Sequence, residues 1–202
     1  MSKQSDAVQS LFERTGAFLR GHFRLTSGLH SPQYLQCALV LSHPDHAERL
    51  GKELAAGLRR ITGKNKIDFV AAPALGGLII GHEVARALGV PFLFLERDAA
   101  TSRMVLRRGF KLTPGQRAVI IEDVITTGGS SREVFEVLRD GGIEVLGAGC
   151  IIDRSAGQAS IGAPHVSLAT LDVLTYAPDI CPQCKQGIPV TKPGSRPVAA
   201  PA

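Results

Sequence analysis

The sequence predicts an α/β fold, a doubly wound and mostly parallel sheet, and three observations predict it. Short runs rich in Val, Ile and Phe are apolar throughout: IDFVAA (67–72), PFLFLE (91–96), RAVIIED (117–123) and VLGAGCIID (145–153). Strands without a polar face are buried on both sides, as in a parallel sheet covered by helices. Helical patterns lie between some of these runs, at 76–88 closed by Gly89 and at 130–140 closed by Gly141 and Gly142. Finally, 202 residues of 44% apolar content suffice for one domain with a full core.

The flanks follow from local pattern. Residues 5–20 read as an amphipathic opening helix with Val8, Leu11 and Phe12 on one side. GHFRLTSGLHSPQY has the turn chemistry of a structured loop or short hairpin. Pro44 opens a helix in which Leu50, Leu54 and Leu58 recur every four residues. Gly147-Ala148-Gly149 lies inside an apolar run and reads as tight strand packing. Residues 1–177 are therefore expected to form one domain, with 1–45 as a small N-terminal element. Residues 178–202 are Pro/Gly-rich, end in VAAPA, and are expected to be a loosely held tail.

Composition narrows the function classes. No apolar run approaches the roughly 20 residues that cross a bilayer, and MSKQSDAVQS lacks a signal-peptide h-region. A cytoplasmic protein without membrane partners is the expectation. The net charge of +5 suits a nucleic-acid binder or an enzyme of anionic metabolites. Arg97, Arg103, Arg107, Arg108 and Lys111 crowd one segment against only Glu96 and Asp98. That suits a loop closing over phosphates better than a broad basic face, the alternative being a solvated loop without a task.

Cys37 and Cys150 sit among apolar residues and read as small core residues. Cys181-Pro-Gln-Cys184 is half a zinc knuckle or a redox pair. A structural zinc needs four ligands, and the chain has no second C-x-x-C, which leaves a site shared across a dimer or a structural tail. His22, His30, His43, His46, His82 and His165 show no HExxH or paired spacing. His82 lies in an apolar helix and reads as a packing residue. His30 is the one candidate among them.

The strongest chemical signal is VIIEDVITTGGSSRE (119–133). An apolar strand delivers Glu122 and Asp123 to its C-terminal end, where ligands bind in open α/β sheets. Thr126, Thr127, Gly128, Gly129 and Ser130 then lead into a helix. Glycines let backbone approach a ligand, and free N–H groups at a helix start favour an anion. One loop thus offers donors for a phosphate beside acceptors for sugar hydroxyls. A P-loop G-x-x-x-x-G-K-[ST] is absent, and so is G-x-G-x-x-G after the first strand. An ordinary strand-turn-helix with an exposed acidic pair is the plainer alternative.

EDVITTGGS resembles the signature with which the phosphoribosyltransferase family holds 5-phosphoribosyl-1-pyrophosphate. The resemblance implies that Glu122 and Asp123 bind the ribose hydroxyls. It implies that Thr126, Thr127, Gly128, Gly129 and Ser130 wrap the 5-phosphate, with Val124, Ile125 and Arg97 also binding the donor. AAPALGG (71–77) is similar in place to the family's pyrophosphate loop at Ala74–Gly77, although Gly76-Gly77 alone could serve helix–sheet packing. Within the family, the chain looks like the orotate phosphoribosyltransferases. FRLTSGLHSPQY (23–34) is similar to their base-covering element. IIDRSAG (151–157) matches an Asp-Arg pair whose arginine contacts orotate, and a planar guanidinium suits a carboxylate.

Arg97 stands where the family's mobile catalytic loop begins. The implied catalytic residues are Asp123 and Arg97, and the implied orotate contacts are Thr126 and Arg154. The resemblance further implies Mg²⁺ held by substrate oxygens without dedicated protein ligands, and a homodimer with shared active sites. The chain departs from many members at Thr26, where they have lysine. It departs again at Asp98, Ala99 and Ala100, where their loop carries lysines and a histidine. The tail resembles a CPxCKxGIPxxKPGSR ending of some longer bacterial orotate enzymes. The activity implied is phosphoribosyl transfer to orotate, giving orotidine 5′-phosphate and pyrophosphate. A purine phosphoribosyltransferase and a donor-sensing regulator that binds nucleic acid are the rivals.

Overall fold

The computed structural model describes residues 3–25, 27–171 and 173–193. In chain order the elements are α1 (Lys3–Arg14), β1 (Phe18–Arg24), β2 (His30–Leu35), α2 (Cys37–Leu41) and α3 (Pro44–Thr62). They continue with β3 (Phe69–Pro73), α4 (Gly77–Leu88), β4 (Phe92–Arg97), β5 (Met104–Leu106) and β6 (Arg117–Ile125). The chain finishes with α5 (Gly129–Asp140), β7 (Glu144–Asp153), β8 (His165–Thr170) and α6 (Pro182–Lys185).

The apolar runs become the middle of a six-stranded sheet of order β5-β4-β3-β6-β7-β8. All neighbours are parallel except β5, which turns back antiparallel along β4. Side chains alternate between faces as a strand requires. Along β6, Val119 and Ile121 join the cluster under α1, α3 and α4, with Leu11, Phe12, Leu50, Leu54 and Ile80. Ala118 and Ile120 join the opposite cluster, with Val134 and Leu138 of α5. Helices thus cover both faces, which is the predicted doubly wound, mostly parallel arrangement.

The order of connection creates the site. From β3 the chain steps outward to β4, whereas from β6 it steps the other way to β7. The loops leaving β3 and β6 therefore diverge between two adjacent strands and leave a crevice at their carboxyl ends.

Several expectations need correction. The opening helix stops at Arg14 rather than 20, because Gly16 takes φ +67 and residues from Phe18 onward pair as a strand. Met104–Leu106 is not part of an open polar loop, since Leu95↔Leu106 and Arg97↔Met104 pair it to the sheet edge and Met104 is buried. His82 is exposed rather than packed inside, lying edge-on to Phe92. The segment 178–193 is not loose: Thr191 N–H donates to His22 O at 2.8 Å, and Arg24 N–H donates to Thr191 O at 2.8 Å. Thr26 and the final VAAPA lie outside the described residues. Gly147 does serve packing, because a Cβ there would stand 2.8 Å from Ile61 Cδ1 of α3.

Candidate active site

The crevice holds two joined compartments. The narrower one, of about 40 Å³, is lined by Glu122, Val124, Ile125, Thr126, Gly128, Gly129, Ser130 and Ser131. Gly128 caps α5 with φ +76, a conformation that L side chains rarely adopt. It turns the 126–129 backbone so that the helix N-terminus faces the compartment. Such an end presents unpaired N–H groups and the positive end of the helix dipole, which suits a phosphate. All the residues predicted for that phosphate except Thr127 line this compartment. Thr127 faces the larger one.

The acidic pair is divided between the compartments, Glu122 lining the narrower and Asp123 the larger. Glu122 is buried and accepts from Ser131 Oγ at 3.4 Å. Asp123 Oδ1 accepts the Val124 N–H at 2.8 Å. Burial pushes both carboxyls above the ordinary range, and in Glu122 the neighbouring Asp123 charge adds to the effect. Removing two acids from water with no cation beside them costs energy that a ligand's hydroxyl donors or a cation would offset. The loop after β3 closes against this pair. A Cβ on Gly76 would lie 2.6 Å from Asp123 Oδ1, and one on Gly77 would lie 2.9 Å from Ala72 Cβ. Gly76 thus admits the carboxylate and Gly77 the helix–sheet contact, so both readings of AAPALGG hold at different glycines.

The larger compartment, about 460 Å³, is of a size that fits a small ligand. β1, β2 and the turn between them cover it through Leu25, Ser27, Leu29 and Tyr34, while Asp123, Thr126, Thr127, Ser130 and Arg154 come from the sheet side. Thr126 and Ser130 line both compartments. Sequence reading missed Gln36, Val173 and Thr175, which also line it. The last two lie after β8, far along the chain from every motif, and no local signal marks them.

Arg154 is placed by its neighbour. Asp153 is buried and accepts from Ser155 N at 2.6 Å, Ser155 Oγ at 2.6 Å and Gly157 N at 3.0 Å. Burial alone would raise the Asp153 pKa, but these hydrogen bonds outweigh it and hold the carboxyl below its ordinary value. Asp153 thereby folds the 153–157 turn that presents Arg154 to the cleft. Arg154 Nε is buried without a hydrogen-bond partner among the described residues. Burial pushes its pKa down, with Tyr34 acting the other way. A structural ion pair, the plain alternative for this arginine, is not what these residues show.

Arg97 ends β4 and reaches the phosphate loop from the side. Its guanidinium donates to Glu133 Oε1 and Oε2 at 2.9 Å each, to Ser102 O at 2.6 Å, and to Ser130 Oγ at 3.5 Å. The predicted loop arginine therefore borders the site while held by a carboxylate of α5. Arg107 pairs with Asp98 and Arg108 with Glu96, so the basic segment is partly neutralised by its own hairpin.

A model of the phosphoribosyl transferase domain matches residues 41–175, more than half of the chain. The chain belongs to the phosphoribosyltransferase family. An orotate phosphoribosyltransferase of Pelotomaculum thermopropionicum is 55% identical over 95% of this chain and 97% of its own. Among solved structures, the orotate phosphoribosyltransferase of Aeropyrum pernix is 28% identical with a TM-score of 0.65, covering 81% of this chain and 93% of that one. An adenine phosphoribosyltransferase of Saccharomyces cerevisiae, 18% identical with a TM-score of 0.62, covers 79% and 99% and shows the fold alone. The fold is thus shared by proteins named for different bases.

One further grouping departs from expectation. Cys181 and Cys184 are not an isolated pair, since His22 and His30 stand beside them. The histidines' sequence spacing concealed this because antiparallel pairing, not helical periodicity, brings them together.

Proposed function

We infer that this phosphoribosyltransferase transfers the phosphoribosyl group of 5-phosphoribosyl-1-pyrophosphate to orotate, giving orotidine 5′-phosphate and pyrophosphate in pyrimidine biosynthesis. The observation that carries the choice of base is Arg154, a half-buried arginine lining a cleft of base size, whose Nε is buried without a hydrogen-bond partner among the described residues. A buried unpaired cation is costly, and a planar carboxylate is the group that offsets it bidentately. Orotate carries that carboxylate, whereas uracil and the purines do not. The orotate phosphoribosyltransferase relative spanning nearly the whole chain supports the same base.

The chain's residues divide the work. The 126–129 backbone and the hydroxyls of Thr126, Thr127 and Ser130 hold the 5-phosphate. Glu122 and Asp123 accept the ribose hydroxyls and fix the anomeric carbon toward the base compartment. Arg154 orients the base so that its ring nitrogen faces that carbon, and proximity of this kind supplies much of the rate. Orotate attacks as the ring-nitrogen anion, so no side chain has to act as a strong general base. Arg97 adds positive charge near the departing pyrophosphate.

Mg²⁺ fits the donor set as a guest of the substrate. The site offers two carboxylates, and among the described residues no third carboxylate, histidine or cysteine joins them in a cluster. Such a cation would be held together with the substrate, with Glu122 and Asp123 as the nearest protein carboxylates. When bound, Mg²⁺ supplies neutralisation of the charge that develops on pyrophosphate.

A homodimer is part of the proposal. Leu75 and Ile79 are 68% and 46% exposed beside the Ala74–Gly77 loop. Ile79 and exposed His82 lie three residues apart on one side of α4, beside Leu75 in the loop before it. A second copy would cover these residues, and light scattering at assay concentration tests this, a fully active monomer counting against it. The location is proposed as cytoplasmic; no described helix is long and apolar enough to cross a membrane.

The decisive assay gives the purified protein the donor, Mg²⁺ and a panel of orotate, uracil, adenine and hypoxanthine. Turnover of orotate with little of the others is expected. A purine used as well as orotate would overturn the reading.

A further inference from the structure

We propose that His22, His30, Cys181 and Cys184 form a structural Zn²⁺ site that clamps the C-terminal segment onto the base-covering hairpin. The four donors come from three separate stretches, β1, β2 and the C-x-x-C at the start of α6, yet their ligand atoms lie within 4.8 Å of one another. His22 Nε2 stands 2.9 Å from His30 Nδ1, 3.4 Å from Cys181 Sγ and 3.7 Å from Cys184 Sγ. Cys184 Sγ stands 3.2 Å from His30 Nδ1. With Zn–N near 2.0–2.1 Å and Zn–S near 2.3 Å, a tetrahedral site has edges of about 3.3–3.8 Å. Three of the four measured edges are within about 0.2 Å of that range, and the histidine pair need open by only a few tenths of an ångström.

The protonation pattern points the same way. His22 Nδ1 lies 2.8 Å from the Ile188 carbonyl, which can only accept, so Nδ1 carries the proton. Nε2 therefore presents its single lone pair to the other three donors. One lone pair cannot satisfy three neighbours by hydrogen bonding, whereas a cation at their centre takes a lone pair from each. A ring N–H held by a backbone carbonyl is the usual outer support of a metal-bound histidine. Two thiolates with two imidazoles, in tetrahedral disposition, favour Zn²⁺ over harder divalent ions. Four protein donors leave no open position, so the ion is structural rather than catalytic.

The segment also needs an anchor that its apolar content does not provide. Ile180, Ile188 and Val190 are 57%, 41% and 44% exposed, while Cys181 is fully buried. Hydrogen bonds at Thr191, from Gln183 Nε2 to Gly21 O at 3.1 Å and between His22 Nδ1 and Ile188 O at 2.8 Å tie the segment to β1, and the cluster joins them with its side chains. Both thiols are free, as a thiolate site requires.

The test measures metal on the full-length protein, independently of turnover. Protein purified under reducing conditions without added chelator should carry about one zinc per chain. Protein stripped of metal should take up Co²⁺ with the intense sulfur-to-cobalt charge-transfer band and d–d absorption of a tetrahedral thiolate site. Cys184→Ala, at the exposed ligand, should lose stoichiometric zinc and the cobalt spectrum, and should speed amide exchange across 180–191. Val190→Ala, a nearby control, should keep both. Wild-type protein that takes up neither metal would overturn the proposal. So would zinc retained in full by Cys184→Ala, or a Cys181–Cys184 disulfide persisting under reducing conditions.

Discussion

Residues 119–133 and residues 18–35 face one cleft from opposite sides, and they are held there differently. β6 is flanked by β3 and β7, its residues 118–121 are fully buried, and α5 packs over it. β1 and β2 form a two-stranded sheet apart from the main one, with a register shift between Arg20 and Phe23. A two-stranded hairpin is marginal in isolation. This one is tied down by Ser31 Oγ donating to Leu174 O at 2.9 Å, by paired backbone bonds between His30 and Tyr176, and by the 180–191 segment. The side proposed to hold the phosphoribosyl group is built into the sheet, while the side proposed to cover the base depends on late parts of the chain. Damage to the first should therefore remove chemistry from an intact fold, and damage to the second should alter base binding first.

The largest expected effect is on the sheet side. Asp123→Asn preserves volume and the Val124 hydrogen bond but removes charge from the ribose site. Its kcat/KM should fall by at least about 100-fold, or about 2.7 kcal/mol, with circular dichroism unchanged. Activity within about twofold of the parent would break the assignment. Arg154→Ala comes next and isolates the base. The specificity constant for orotate should drop by roughly 2–5 kcal/mol, the range for truncating one partner of a buried charge pair. Donor affinity measured by calorimetry should hardly move, and an equal loss there would make Arg154 part of the donor site.

Arg97→Ala should cost about tenfold in kcat, about 1.4 kcal/mol. Glu133→Gln, which breaks the same half-exposed pair from the other end, should change stability by no more than about 1 kcal/mol. If Arg97→Ala leaves kcat untouched, its role is to join β4 to α5. The smallest effect concerns pH. The Asp123 carboxyl is pushed above 3.8 by burial, so the ligand-free fold binds its proton more tightly than the unfolded chain. That destabilises the fold most above the raised value and not at all below about 3.8, the unfolded reference. Asp123→Asn should thus melt higher than the parent at neutral pH, by a few degrees, and the gap should close as the solution is acidified. A gap that widens on acidification would reverse the sign of this linkage.

The same contrast explains what could be read from the sequence. The central strands and α3, α4 and α5 were legible because their apolar runs and glycine stops are local signals. EDVITTGGS was legible because every residue of the phosphate loop is contiguous. The edge was not. β5 is three residues inside an arginine-rich stretch, and β8, HVSLAT, is only partly buried and lacks a continuous apolar run. Val173 and Thr175 reach the base compartment only because β8 lies beside β7, and His22 meets Cys181 across 159 positions. Contacts of that separation leave no periodicity to read.

Arg154 N–H donates to Ile125 O at 2.8 Å, which rivets the residue to the end of the strand that also starts the phosphate loop. The gap between the guanidinium and the loop is then set by the β6–β7 ladder, Val124 opposite Ile152 and Ile125 opposite Asp153. Such a pair of jaws works as a caliper of fixed opening. In the function proposed above, it gauges the span between a carboxylate and a phosphate as much as it senses their charges. Mimics with both groups but one methylene too many between them should slip from the jaws, however strongly each end is attracted on its own.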